Sequence, residues 1–135
     1  MFTDIHNCCM LLGTADDILI LCHKSPDGDT IGAEYGLYHA LTQLGRRAAV
    51  RCSDPLPEKF AYIHGGIEMP EFEPQLIIAV DIAGPGLLGP ALEQYADRVD
   101  LCIDHHVSNK GYALTNIIDG DASSACEVIC RLLDM

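Results

Sequence analysis

Apolar and polar positions along the chain fall into two alternating kinds of run. Five runs are short, continuous and rich in β-formers: "ILILC" (18–22), "AAVRC" (48–52), "QLIIAVDIA" (75–83), "RVDLCIDHH" (98–106) and "YALTNIID" (112–119). Short apolar runs without polar alternation read as strands covered on both faces. Between them the apolar positions recur at helical spacing. Residues 30–44 carry Ile31, Leu37 or Tyr38, Leu41 and Leu44 on one stripe and stop at Gly45, a residue suited to a helix C-terminus. "PLPEKFAYI" (55–63) predicts a short helix and "LGPALEQYAD" (88–97) a third. "SSACEVICRLLDM" (123–135) predicts a closing helix whose Ser124-x-x-Glu127 fits a capping box. The alternation implies an α/β fold, a mostly parallel sheet flanked by helices on both faces. No internal repeat, linker or low-complexity segment interrupts it, so residues 1–135 read as a single domain.

Composition narrows function more than fold. Of 135 residues, 49% are hydrophobic, enough to bury a core. With 20 acidic and 8 basic residues the formal net charge is -12. That excludes a long nucleic-acid duplex as partner, because its phosphates need basic patches. It leaves room for a small nucleotide held through metal ions, which reverse the local charge. The opening "MFTDIHNCCMLLGTADD" lacks the basic start and long apolar stretch of a signal peptide. No run approaches the roughly 20 apolar residues of a membrane span, so a cytoplasmic chain without a membrane partner is expected. The cysteines number 7, an odd count, and form no CxxC pair. Cys22, Cys52, Cys102, Cys126 and Cys130 lie in apolar runs and read as reduced, buried small hydrophobes; Cys8 and Cys9 are less clear.

Chemistry gathers where strands end. In open parallel sheets, ligands bind beyond the carboxyl ends of the strands. His23, Asp27 and Asp29 follow the first strand, Asp81 the third, and Asp104, His105 and His106 the fourth. Like charges gathered at one edge repel unless a cation sits among them. Oxygen and imidazole ligands without thiolates favour manganese or magnesium, and the number of acids points to two ions about 3.5–4 Å apart. Each piece alone has a plainer reading. Pro26-Asp27-Gly28 is a good turn, Asp81 could cap a helix, and adjacent histidines on an extended segment point opposite ways. An EF-hand loop starting at Asp27 fails at its twelfth position, Tyr38. A different class also competes: "GPGLLG" (84–89) fits a dinucleotide fingerprint, with Asp104 about 20 residues further on. That NAD-type module leaves His23, Asp27, Asp29 and His105 without a role.

"CHKSPDGDTIGAEYGLYHAL", "IIAVDIA", "CIDHHVSN" and "DASSACEVI" resemble, in order, successive motifs of the DHH phosphoesterase family. The nearest likeness is to its oligoribonucleases (nano-RNases) and phosphoadenosine-phosphate phosphatases. The resemblance implies two manganese ions, with magnesium as a possible substitute, and hydrolysis of phosphoesters in short oligonucleotides or small nucleotides. By motif, His23 and Asp27 bind one ion, Asp29 and His105 the other, and Asp81 bridges both. Asp104 supports the neighbouring histidines and His106 contacts the scissile phosphate, which makes these two the catalytic pair. Ser108, Asn109, Ser123 and Ser124 lie near the substrate, and Gly28 and Gly32 leave room for its approach. The family's first domain runs on to a Thr-Asp-Thr-Gly-like motif with a further metal ligand. A second, smaller domain carries a Gly-Gly-Gly-His-like motif that grips the nucleotide. Neither motif occurs in these residues. The resemblance therefore implies an incomplete catalytic domain, weak or inactive alone, completed by a second domain or by self-association. A non-catalytic, metal-binding regulatory domain is the alternative.

Overall fold

A computed structural model describes residues 1–135. The five apolar runs form strands β1 (Ile18–Leu21), β2 (Ala48–Arg51), β3 (Leu76–Val80), β4 (Leu101–Asp104) and β5 (Thr115–Ile118). They make one sheet in the order β2-β1-β3-β4-β5, with every neighbouring pair parallel. All residues of β1, β3 and β4 are buried, as runs without polar alternation require. Side chains alternate between two layers. Ile18, Ile20, Ile78, Val80, Leu101 and Ile103 enter one; Leu19, Leu21, Ile77, Ala79 and Cys102 enter the other. Each fully buried Leu or Ile stabilises the fold by about 1.5–3 kcal/mol.

The first layer is covered by helices α1 (Ile5–Thr14), α2 (Gly28–Gln43), α3 (Ala61–His64) and α4 (Ala125–Leu133). The sequence reading did not contain α1. Asp4 caps it by accepting from the Asn7 backbone N–H at 2.9 Å, and Cys8 and Leu12 bury its inner face. The second layer is covered differently. The helix expected over 88–97 is a 3-10 helix, Pro90–Tyr95, preceded by another, Pro85–Leu87. Between them Gly89 holds φ +84, and a Cβ there would lie 2.7 Å from Ser53. The left-handed turn and close approach break the segment into two short pieces.

All seven cysteines are free, but not all are buried: Cys130 is exposed on the outer side of α4, and Cys9, Cys52 and Cys126 are only partly covered. The strand order matters most for the site. From β1 the chain steps to β2 on one side, and β3 then returns to the other. The carboxyl ends of β1 and β3 flank that reversal, where open α/β sheets form their ligand crevice.

Candidate metal centre

Asp81 is the residue directly after β3. Its N–H still donates to Ile103 at 2.9 Å, yet its φ is +62, a left-handed conformation that is costly for a side chain other than glycine. The side chain is buried. Its Oδ2 accepts from the Thr30 hydroxyl at 2.8 Å, while its Oδ1 has no hydrogen-bond partner. His105 Nε2 lies 3.2 Å from that Oδ1 and His106 Nδ1 lies 3.7 Å from it. Asp104, at the end of β4, is fully buried and organises both histidines. Its Oδ1 accepts the His105 N–H at 2.8 Å and lies 2.7 Å from His106 Nδ1, and its Oδ2 accepts from Asn109 at 2.8 Å. The adjacent histidines do not diverge as they would on a strand. The pleat ends at Asp104, and their ring centroids sit 4.3 Å apart. Ligand atoms of Asp81, Asp104, His105 and His106 all lie within 4.8 Å of one another.

The β1 side reaches this cluster through α2. Asp27 is the N-cap, and its Oδ1 accepts from the Thr30 N–H at 2.9 Å and lies 3.0 Å from the Thr30 hydroxyl. One hydroxyl proton thus stands between the carboxylates of Asp27 and Asp81 and can serve only one at a time. Thr30 was not foreseen; its signal is the Asp-x-x-Thr spacing of a cap, in which the Thr30 N–H donates to the Asp27 carboxylate. Asp29 points its oxygens at another helix, accepting from Ala125 N–H at 3.0 Å and Cys126 N–H at 2.9 Å. Its Oδ2 is also 3.7 Å from His105 Nε2. His23 stands outside the four-residue cluster, with its Nδ1 against the Lys24 carbonyl.

The remaining residues are placed as follows. Ser124 caps α4 by accepting from Glu127 N–H at 3.1 Å. Glu127 returns to Ser123, accepting from its N–H at 2.6 Å and its hydroxyl at 2.8 Å, so the capping box closes one residue earlier than its usual form. Ser108 is exposed, whereas Asn109 is buried against Asp104. Gly28 and Gly32 do not leave open space. A Cβ on Gly28 would lie 3.2 Å from the Phe60 ring and one on Gly32 3.1 Å from Cys126 Sγ, so both glycines serve packing.

Burial pushes the Asp81 carboxyl above its ordinary range; the Thr30 hydrogen bond offsets part of this and the Asp29 charge adds to it. The Thr30 backbone N–H holds Asp27 below its ordinary value. At His106 burial works against protonation, but the bond and charge of Asp104, then the charges of Asp81 and Asp29, outweigh it and raise the imidazole. The cluster therefore favours positive charge. An orphaned buried oxygen among carboxylates and imidazoles, with no thiolate in the group, fits a hard or borderline divalent cation. The dinucleotide reading fares worse. Gly84 and Gly89 each precede a 3-10 piece and Gly86 lies in the first, so no α-helix starts there to face a pyrophosphate, and Asp104 is buried and engaged.

Known proteins share this chain's sequence pattern and fold. Residues 17–135 match the DHH family, N-terminal domain. The bifunctional oligoribonuclease and PAP phosphatase NrnA of Thermus thermophilus is 29% identical over 124 residues, covering 87% of this chain and 36% of its own length. The protein of the same description from Mycoplasma genitalium is 27% identical over 124 residues, covering 87% of this chain and 39% of its own. The chain thus spans well under half the length of these curated relatives. An exopolyphosphatase-related protein from Bacteroides fragilis has the same fold, with a TM-score of 0.84 at 23% identity, over 96% of this chain and 42% of that one. Since the match takes in every strand and the ends of β3 and β4 that build the cluster, this chain belongs to the DHH family, matching its N-terminal domain.

Proposed function

We propose that this chain is the metal-binding catalytic part of a phosphoesterase acting on short oligonucleotides or small nucleotides. The observation that carries the reading is the buried, unpartnered Oδ1 of Asp81, with two imidazoles beside it. Asp81, His105 and Asp29 are the residues that would hold a divalent ion, manganese or magnesium, and Asp27 and His23 would contribute to a second. A bound ion of this kind supplies Lewis-acid charge to the phosphoryl group.

The chain's own groups do the rest. Asp104 fixes Nδ1 of His106 and stabilises its protonated form. The imidazolium, half exposed, is then a donor for a phosphate oxygen gaining charge in the transition state. Asn109 holds Asp104 from the other side, so the His106 ring is positioned rather than free to turn. Lys24, next after His23, lines a cleft of about 410 Å³ with Pro85, Gly86, Gly89 and Glu93, which includes none of the cluster residues. The net charge of -12 favours a substrate with few phosphates. The named activities of the NrnA relatives, oligoribonuclease and PAP phosphatase, supply the two substrate classes to try first.

The test is release of mononucleotide from a 5′-phosphorylated RNA dinucleotide, and of phosphate from PAP, with and without manganese. The expected result is manganese-dependent turnover that falls at least about a hundredfold in Asp81→Asn. Asparagine keeps the left-handed backbone tolerable at this position. Manganese binding without turnover of any short substrate would replace this reading with a non-catalytic metal-binding domain.

A further inference from the structure

Two side chains at the ends of β1 and β2 have no part in the metal centre. Cys22 follows β1 and Cys52 follows β2. The two strands pair in parallel with Leu21 opposite Arg51, so Cys22 and Cys52 are the next pair along. The Cys22 N–H donates to the Arg51 carbonyl at 2.9 Å, which holds the strands together at this point. Paired strands lie about 4.8 Å apart, within the roughly 4.4–6.8 Å Cα separation that a disulfide spans. Alternation puts both side chains on one face. Ile18, Ile20, Ala48 and Val50 enter the layer beneath α2, and positions 22 and 52 continue that parity. The pair is asymmetric: Cys22 is buried and Cys52 partly exposed. The Cys52 thiol donates to the His23 carbonyl at 3.4 Å, so its sulfur leans toward the β1 end.

We propose that Cys22 and Cys52 form a peroxide-responsive dithiol that closes to a disulfide across the ends of β1 and β2. In the first step the Cys52 sulfur attacks one oxygen of a hydroperoxide. The O–O bond breaks, the sulfur is oxidised to a sulfenic acid, and the other oxygen leaves with the thiol proton as an alcohol, or as water from hydrogen peroxide. In the second step the Cys22 sulfur attacks the Cys52 sulfur. The S–O bond breaks, the S–S bond forms, and the hydroxyl leaves as water with the Cys22 proton. The partly exposed thiol meets the oxidant and the buried one resolves it. No other cysteines form such a cross-strand pair: Cys8 and Cys9 are consecutive in α1, Cys126 and Cys130 share α4, and Cys102 lies on β4.

The experiment treats the full chain with an equimolar amount of hydrogen peroxide and maps peptides by mass spectrometry without reduction. The expected product is a Cys22–Cys52 link that a dithiol reductant reverses. In Cys22→Ser, Cys52 should instead accumulate as a sulfenic acid trapped by dimedone. In Cys52→Ser, at the less buried position and so the gentler change, Cys22 should stay reduced. Oxidation of other cysteines while Cys22 and Cys52 remain free thiols would overturn the dithiol.

Discussion

Asp104 is a residue without exposure that spends each oxygen on a different task, one orienting His105 and His106 and the other gripping Asn109. Asn109→Ala leaves one carboxylate oxygen without its donor. Chemical denaturation should show a loss of about 1–3 kcal/mol. His106→Ala should lower turnover far more than manganese affinity, since its Nδ1 is committed to Asp104; a large loss of metal would make it a ligand instead. Glu34 gives a pH signature. Burial raises its carboxyl well above the ordinary 4.5, so the folded state favours the protonated form. The stability this contributes is complete below 4.5 and is lost as pH rises from there toward the folded-state value. Glu34→Met should therefore be more stable than the parent, by a margin that grows as the pH rises above the ordinary 4.5. A margin independent of pH would mean that Glu34 has found a partner.

Helix ends tie the elements together. Asp29 sits in the first turn of α2 but accepts the first two N–H groups of α4. Ser124 caps the same helix from its own chain end. Ser124→Ala should cost about 1 kcal/mol, read as a shifted urea midpoint without loss of metal. Asp29→Ala should cost a comparable amount and weaken metal binding as well, because its Oδ2 also faces His105. The strands were legible because each is a continuous apolar run, and the capping box because its residues are local. Three features were not legible. Helix α1 hides its buried stripe behind Cys8 and Cys9, which act as small apolar residues only once the fold is known. The segment after β3 carries a helical pattern, but Gly89 and two prolines break it into 3-10 turns. The convergence of His105 and His106 depends on where the pleat stops, which local pattern does not mark. Among the residues nominated for the centre, the structure gathers Asp81, Asp104, His105 and His106, brings Asp27 and Asp29 to their rim, and leaves His23 outside the cluster. Asp29 reads locally as a ligand, and its hold on α4 is long-range.

At the scale of the whole molecule, a chain with a formal net charge of -12 places buried carboxylates at the reversal point of its sheet. That arrangement is costly alone, and a cation bound there would relieve it. Manganese at a hundred times its dissociation constant should raise global stability by about 2.7 kcal/mol. The most direct measurement is a calorimetric manganese titration of the chain and of Asp81→Asn, both checked for folding by circular dichroism. Saturable binding that is lost in the variant is the predicted result. No binding to the folded parent, or equal binding to the variant, would contradict a metal centre built on Asp81.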